Sequence, residues 1–320
     1  MEQPKAELKK AEQAKTEQSV DVQIEAFTAA VGDSEEVAIE GNRTRWELGG
    51  QLRSGVRRIS APIGMADYSP AEMTVRVGCG TLVSDLHNEL AKSGQRTALA
   101  ERGGTVGGAI AVGENHVGVL GRGRLRDAVL KVRYVSAEGR IVSGGGPTVK
   151  NVSGFDLPRL MVGSLGTLGC LADVIIRTNP TPQQSQWLRS TDVDPFAVQS
   201  AVYRPGCILW DGSSTWVLLE GSSAAVEVEQ AKLSAVATFE PVESAPRLPD
   251  HRWSVDPDAM RSPAQFGKSF VASIGVGTVW ADQPQSERHI DPNVEQIASR
   301  LKANFDPTNR LNPGREPGRR

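Results

Sequence analysis

Residues 150–177 read KNVSGFDLPRLMVGSLGTLGCLADVIIR, a glycine loop that runs straight into a strand. The loop is Gly163-Ser164-Leu165-Gly166-Thr167-Leu168-Gly169, and 168–178 (LGCLADVIIRT) has the apolar, β-branched run of a strand. Two more glycine-bearing segments lie upstream. One is Gly103-Gly104-Thr105-Val106-Gly107-Gly108; the other is Gly41–Gly50 (GNRTRWELGG), which follows the short strand Val37–Glu40. Glycine tolerates positive φ and carries no side chain, so successive backbone N–H groups can converge on an anion. Charge-assisted hydrogen bonds contribute roughly 1.5–3 kcal/mol each, so several amides suffice for a dinucleotide's linked phosphates without a lysine anchor. Any one of these loops alone reads as a tight turn. Three in one domain, each with Ser or Thr, favour a phosphate cradle.

The common nucleotide fingerprints are missing. No G-x-x-x-x-G-K-[ST] occurs, which excludes a P-loop. Gly121-Arg122-Gly123-Arg124-Leu125-Arg126 approaches G-x-G-x-x-G, but Arg126 stands at the third glycine and the sequence beyond it is β-rich. Arg122, Arg124 and Arg126 read instead as a solvated, charged strand end.

Around the loops the chain alternates helices and strands. Residues 22–31 predict a helix stopped by Gly32, and Met73–Val77 a strand. Thr81 is placed to cap a helix in which Leu82, Leu86 and Leu90 recur, with Gly94 ending it. Residues 128–135 and 140–143 form a hairpin about SAEG. Of 33 glycines, 17 fall between Gly94 and Gly169, whereas 14 of 19 prolines lie at Pro180 or later. That shift, with NPTPQQSQ at 179–186, predicts a domain boundary near 180. The organisation expected is a flexible charged tail at 1–18, a cofactor domain at 19–180 and a smaller domain at 181–320.

Composition narrows the class. A formal net charge of −2 argues against nucleic acid as a partner. No run of 18 apolar residues is present, so no direct membrane span is expected, and the N-terminus lacks the apolar core of a secretory signal. Cytoplasm is the default location. Cys79, Cys170 and Cys207 are too widely spaced for an iron–sulfur or zinc site and read as buried thiols; no metal is expected. His87 falls outside the leucine row of its helix and reads as surface. His116 lies in the loop after GGTVGGAIAVG, while His251 and His289 lack metal-spaced companions. Trp46, Trp210 and Trp280 read as core.

Taken in order, these segments resemble the FAD-binding domain of the p-cresol methylhydroxylase/vanillyl-alcohol oxidase superfamily. The segments are YSPAEMTVRVGCGTLVSDLHNELAKSGQ (68–95), GGTVGGAIAVG (103–113), RLRDAVLKVRYVSAEGRIVSGGG (124–146) and 150–177, while the first loop, GNRTR, departs from the family in being poorer in glycine. WDGSSTWVLLEGS (210–222) and LKANFDPTNRLNPGR (301–315) extend the likeness. Within the superfamily the likeness is strongest to the family of the smaller FAD-binding flavoprotein of bacterial glycolate oxidase. The resemblance implies an α+β fold: a PCMH-type domain of two α/β subdomains, then a small α+β cap whose C-terminus returns to the flavin domain. It implies non-covalent FAD, since no histidine stands in the first loop.

Carried over by position, Gly41, Asn42, Arg43 and Thr44 resemble the loop that meets the FAD diphosphate. Gly103, Gly104, Thr105, Val106, Gly107 and Gly108 resemble the second loop, and Asp127 falls in the RLRDAVL match. Gly163, Ser164, Gly166, Thr167, Leu168 and Gly169 resemble the cofactor-holding GS-x-G-x-LG element, and Asn312 the C-terminal NPG. The resemblance also implies an oxidoreductase subunit for a 2-hydroxy acid such as glycolate. A homologous flavoprotein and an iron–sulfur subunit would be its partners, and through them it could sit at the inner face of the membrane. The H-x-G-D-G-N-type metal segment of the relatives' catalytic subunits is absent, and no residue emerges as catalytic. A stand-alone FAD oxidase or dehydrogenase, a scaffold without cofactor and an NADPH-driven reductase remain open at this point.

Overall fold

A computed structural model of the chain describes residues 19–146, 156–286 and 290–318. The tail at 1–18, the KNVSGF part of the 150–177 segment and His289 lie outside the described residues. Two compact units emerge. The first gathers the described parts of Met1–His116, Arg124–Pro180 and His289–Arg320; the second takes Val117–Gly123 and the described parts of Thr181–Arg288.

In the first unit, residues 19–31 are helical, and Val20, Ile24, Phe27 and Val31 bury one stripe of that helix. Gly32 ends it at φ 58°, where a side chain would be strained. A parallel pair, Val37–Ile39 with Arg57–Ile59, follows. Five strands build an antiparallel sheet in the order Met65–Ser69, Thr74–Gly78, Cys170–Arg177, Val129–Val135, Ile141–Gly145. Cys170–Arg177 sits at the centre with both faces covered, which explains its largely apolar run.

One charge breaks that run. Asp173 Oδ2 accepts from Arg76 Nε at 2.6 Å and Oδ1 from Arg133 Nε at 2.6 Å; Arg133 Nη2 also reaches Asp21 at 2.8 Å. The N-terminal helix is thereby clamped to the sheet through Asp21. The expected hairpin is present, with Val135 opposite Ile141 and Gly139 at φ 69°. The helix Val83–Ala91 starts one residue later than its sequence signal. Leu82 is its N-cap with no side-chain bond, because the Thr81 hydroxyl accepts the Gly64 N–H at 2.9 Å instead.

The second unit holds a seven-stranded antiparallel sheet. Its order is Glu240–Val242, Gln184–Thr191, Ser214–Gly221, Pro205–Trp210, Phe270–Ser273, Thr278–Ala281, His251–Ser254. Alternate residues feed two cores. Ile208, Val217 and Leu219 join one; Cys207, Leu209, Trp216 and Leu218 join the other. Val117–Gly123 leaves the 19–180 block for this unit because the Gly121 backbone packs directly on Gly206, where a Cβ would stand 3.1 Å from the Gly206 Cα.

The C-terminal segment belongs to the first unit. Val37 N–H donates to Arg310 O at 2.9 Å and Asn312 N–H to Val37 O at 2.8 Å, which extends the small parallel pair. All three cysteines are free and buried, and burial pushes their thiols upward in pKa. No described helix is long and apolar enough to cross a membrane.

Candidate cofactor cleft

The strand Val37–Ile39 delivers the chain into the first loop, where Arg43 takes φ 54° and Trp46 N–H closes a turn on Arg43 O at 3.3 Å. The second loop crosses opposite it. Gly103 and Gly104 adopt φ 64° and 124°, and Thr105 caps the helix Val106–Val112 by accepting the Gly108 N–H at 3.2 Å. Glycine is required for this crossing. A Cβ on Gly41 would lie 2.6 Å from Thr105 Oγ1, and one on Gly104 would lie 2.7 Å from Thr44 Oγ1.

Between the loops runs a cleft of about 620 Å³, continued by a hollow of about 480 Å³ that shares Ile39, Thr105, Leu165 and Asn312. Of the sequence-derived site residues, Gly41, Asn42, Arg43, Thr44, Gly104, Thr105, Gly107, Gly108, Gly166, Gly169 and Asn312 line it. Gly103, Val106, Gly163, Ser164, Thr167 and Leu168 are not among its lining residues. Asp127 is elsewhere, ion-paired with Arg159 at 2.7 Å.

The third loop differs from the other two in what its amides do. Leu165 N–H donates to Ala111 O at 2.9 Å, Gly166 N–H to Ser164 Oγ at 3.3 Å and Thr167 N–H to Ser164 O at 3.0 Å. Those donors are spent on the protein, so this loop acts as a brace. Asn312 locks it in place: Nδ2 donates to Gly166 O at 2.9 Å while Oδ1 accepts the Ile39 N–H at 3.2 Å. By contrast, among the described residues the N–H groups of Gly41, Asn42, Arg43, Thr44, Gly104 and Thr105 donate to no protein acceptor. Gly104 and Thr105 are buried, where an unmet donor is costly.

Sequence reasoning missed the charged frame around these donors. Arg45 Nε meets Glu114 Oε2 at 2.6 Å, and Arg102 Nη1 meets Oε1 at 3.0 Å. Glu114 is only 4% exposed. Burial alone would raise its carboxyl, but the charges and hydrogen bonds of Arg45 and then Arg102 outweigh burial and hold it below 4.5. The sign follows: the pair contributes its full stability above the ordinary value of 4.5 and loses it as pH falls through the lowered one. Thermal melts of wild type and Glu114→Gln should therefore differ most at neutral pH and converge as pH falls from 4.5 through the lowered value.

Trp46 is a wall of the cleft rather than core, with the guanidiniums of Arg43, Arg58 and Arg315 at 5.4, 5.4 and 5.1 Å from its ring. Arg315 donates to Leu48 O at 3.0 Å. Trp280 is core, and Trp210 packs half-buried at the edge of one. His87 is not a surface residue: Nε2 lies 2.7 Å from Thr97 Oγ1 and Nδ1 3.2 Å from Glu101. His116 does not line the cleft, and His251 is exposed.

The chemistry of this cleft suits a long, bipolar ligand with an anionic middle. Unmet amides and a buried guanidinium nitrogen, Arg45 Nη2, gather at the crossing of the loops, and Ile39, Leu48, Leu52, Val112 and Leu165 supply apolar walls. FAD has that composition, so the residues fit it.

Comparison with known proteins agrees. Residues 17–145 match the family described as FAD binding domain. Glycolate oxidase subunit GlcE of Escherichia coli K12 is 27% identical over 216 residues, 64% of this chain and 61% of that protein. D-lactate dehydrogenase of Archaeoglobus fulgidus is 46% identical over 76 residues, 24% of this chain and 17% of that one. The chain thus spans about three-fifths of the first relative's length and far less of the second's. Among solved structures, alkyldihydroxyacetonephosphate synthase shares the fold at TM-score 0.62 and 15% identity, over 93% of this chain and 74% of that one. Residues 17–145 therefore match an FAD binding domain, and FAD is the cofactor that this match and the residues of the cleft support.

Proposed function

We propose that the chain is a flavoprotein oxidoreductase of the 2-hydroxy-acid type, most simply the FAD-binding subunit of a glycolate oxidase or dehydrogenase. The observation that carries this reading is the cleft of unmet amides lying inside the segment that matches the FAD binding domain. Similarity to GlcE and to the D-lactate dehydrogenase supports the substrate class. Gly41 to Thr44, Gly104 and Thr105 would hold the diphosphate. Gly107, Gly108, Gly166, Gly169 and Asn312 would line the remainder of the cofactor's path. Gly103, Val106, Gly163, Ser164, Thr167, Leu168 and Asp127 do not line these two parts of the cleft, and any role of theirs toward the cofactor would be indirect.

Bound FAD would supply hydride acceptance from an alcohol carbon. The protein's own part is to bind and orient. Apolar Ile39, Val112 and Leu165 would shield part of a bound cofactor from water, and Asn312 holds the third loop against the first strand. Electrons must then leave to oxygen, to a soluble carrier or to a partner, and this reading takes the partner. A second flavoprotein and an iron–sulfur protein fill that role in this reading. Such an assembly would work in the cytoplasm or at the inner face of the membrane.

Expression of the chain alone tests it. The purified protein should show flavin absorbance bands and a melting temperature that rises with added FAD. Glycolate-dependent dye reduction should stay low until the partner subunits are added. Brisk turnover by the lone chain would favour a self-sufficient oxidase; a colourless protein whose melting ignores FAD would end the flavoprotein reading.

A further inference from the structure

We infer that Arg45 is the counter-charge to the cofactor's linked phosphates and that Glu114 is the residue that positions it; this rests on the FAD reading above. Neither residue is among the sequence-derived site residues, and they lie 69 positions apart in the chain. Yet the fold brings them to the crossing of the two donor loops. Arg45 follows the turn Gly41–Thr44, and its Nη1 donates to Thr44 Oγ1 at 3.1 Å. The same nitrogen lies 3.5 Å from where a Gly104 Cβ would stand. Arg45 thus touches both loops that carry unmet amides.

Its remaining donor sets the direction. Nε is committed to Glu114 and Nη1 to Thr44, while Nη2 is buried with no partner among the described residues. The guanidinium is planar, so fixing two of its nitrogens fixes where the third points. Arg45 lines the cleft, whereas Glu114 and Arg102 stand outside its lining. Charge arithmetic agrees: one carboxylate faces two guanidiniums, which leaves the cluster one positive charge in excess. Arg102 is more exposed to water than Arg45, so the excess is least screened at Arg45. A buried excess cation beside unmet N–H donors calls for an anion, and linked phosphates supply about two charges.

Apo-protein titrated with FAD, ADP and riboflavin separates this role from general support. Quenching of flavin fluorescence reads FAD and riboflavin, and displacement of FAD reads ADP. Arg45→Met should weaken FAD and ADP together by roughly ten- to hundredfold and leave riboflavin unchanged. Arg45→Lys should recover part of the loss. Glu114→Gln should weaken ADP by a smaller factor with riboflavin again unaffected, and it carries the test if Arg45→Met fails to fold. Arg45→Met or Glu114→Gln that weakened all three ligands equally would reduce the pair to scaffolding and overturn the inference. So would full ADP affinity in Arg45→Met, with the FAD reading intact. Wild-type protein that bound neither FAD nor ADP would remove the reading itself.

Discussion

Arg310→Met is expected to destabilise the first unit by about 3–5 kcal/mol and lower its melting temperature by roughly 10 °C. Arg310 is 2% exposed and is the largest fully buried side chain among the described residues. Its guanidinium donates to three backbone carbonyls from separate segments: Val31 O at 2.5 Å, Glu35 O at 2.8 Å and Ala137 O at 3.0 Å. Those oxygens close the N-terminal helix, the approach to the first strand and the hairpin turn. Methionine nearly fills the volume, so the loss is not a cavity. It is three carbonyls left without donors at a buried site, each costing about 1–3 kcal/mol less whatever water can recover.

The damage should reach the cleft. Arg310 O also receives Val37 N–H at 2.9 Å, and Asn312 lies two residues on, so loosening this corner loosens the staple between the first strand and the third loop. Saturating FAD should restore part of the melting temperature by mass action. Circular-dichroism melts with and without FAD check both statements, and a variant melting within about 2 °C of wild type would show that the buried guanidinium is dispensable.

The glycine loops were legible because their information is local. Positive φ at Gly103, Gly104 and Gly166 is written into residue type, and so is the turn after Val37–Ile39. What each loop does with its donors was not legible. The third loop has the strongest glycine pattern, yet the amides of Leu165, Gly166 and Thr167 are consumed by Ala111 O and by Ser164, partners set by tertiary packing.

Arg45 and Glu114 escaped notice for the same reason, although one clue was present: an arginine ends the first loop and a glutamate follows the second helix, opposite charges beside converging turns. His87 and Trp46 were misplaced because a half-buried face offers no periodic signal. The seven-stranded sheet stayed hidden because strands such as Ser214–Gly221 are covered on both faces, which erases the alternation that marks a strand. Asp127 shows the opposite limit: it falls in a family-like segment, and in the fold it pairs with Arg159 and does not line the two described parts of the cleft.

Gly104→Val is expected to cost more than about a hundredfold in FAD affinity while lowering stability only modestly. Gly104 sits at φ 124°, a region β-branched residues avoid at a cost of order 1–3 kcal/mol. The added Cβ would also press on Thr44 Oγ1 at 2.7 Å. The backbone cannot turn away freely, since Gly104 O accepts the Val83 N–H at 3.0 Å and Val106 N–H is held by Thr81 O at 2.8 Å. Relief must come from the free side of the peptide, where the Gly104 and Thr105 N–H groups face the cleft. They would swing out of line, and Thr44 with its hydrogen bond to Arg45 would be pushed aside.

Gly55→Val is the matched control. Gly55 also holds positive φ, at 80°, but nothing lies within 4 Å of its missing Cβ and it lines neither part of the cleft. It should lose comparable stability and keep FAD affinity within a few-fold. The ratio of the two variants' affinities, read by flavin fluorescence at equal folded fraction, therefore isolates donor geometry from backbone strain. Equal affinities would mean that the second loop's amides never meet the cofactor, however well they are placed to do so.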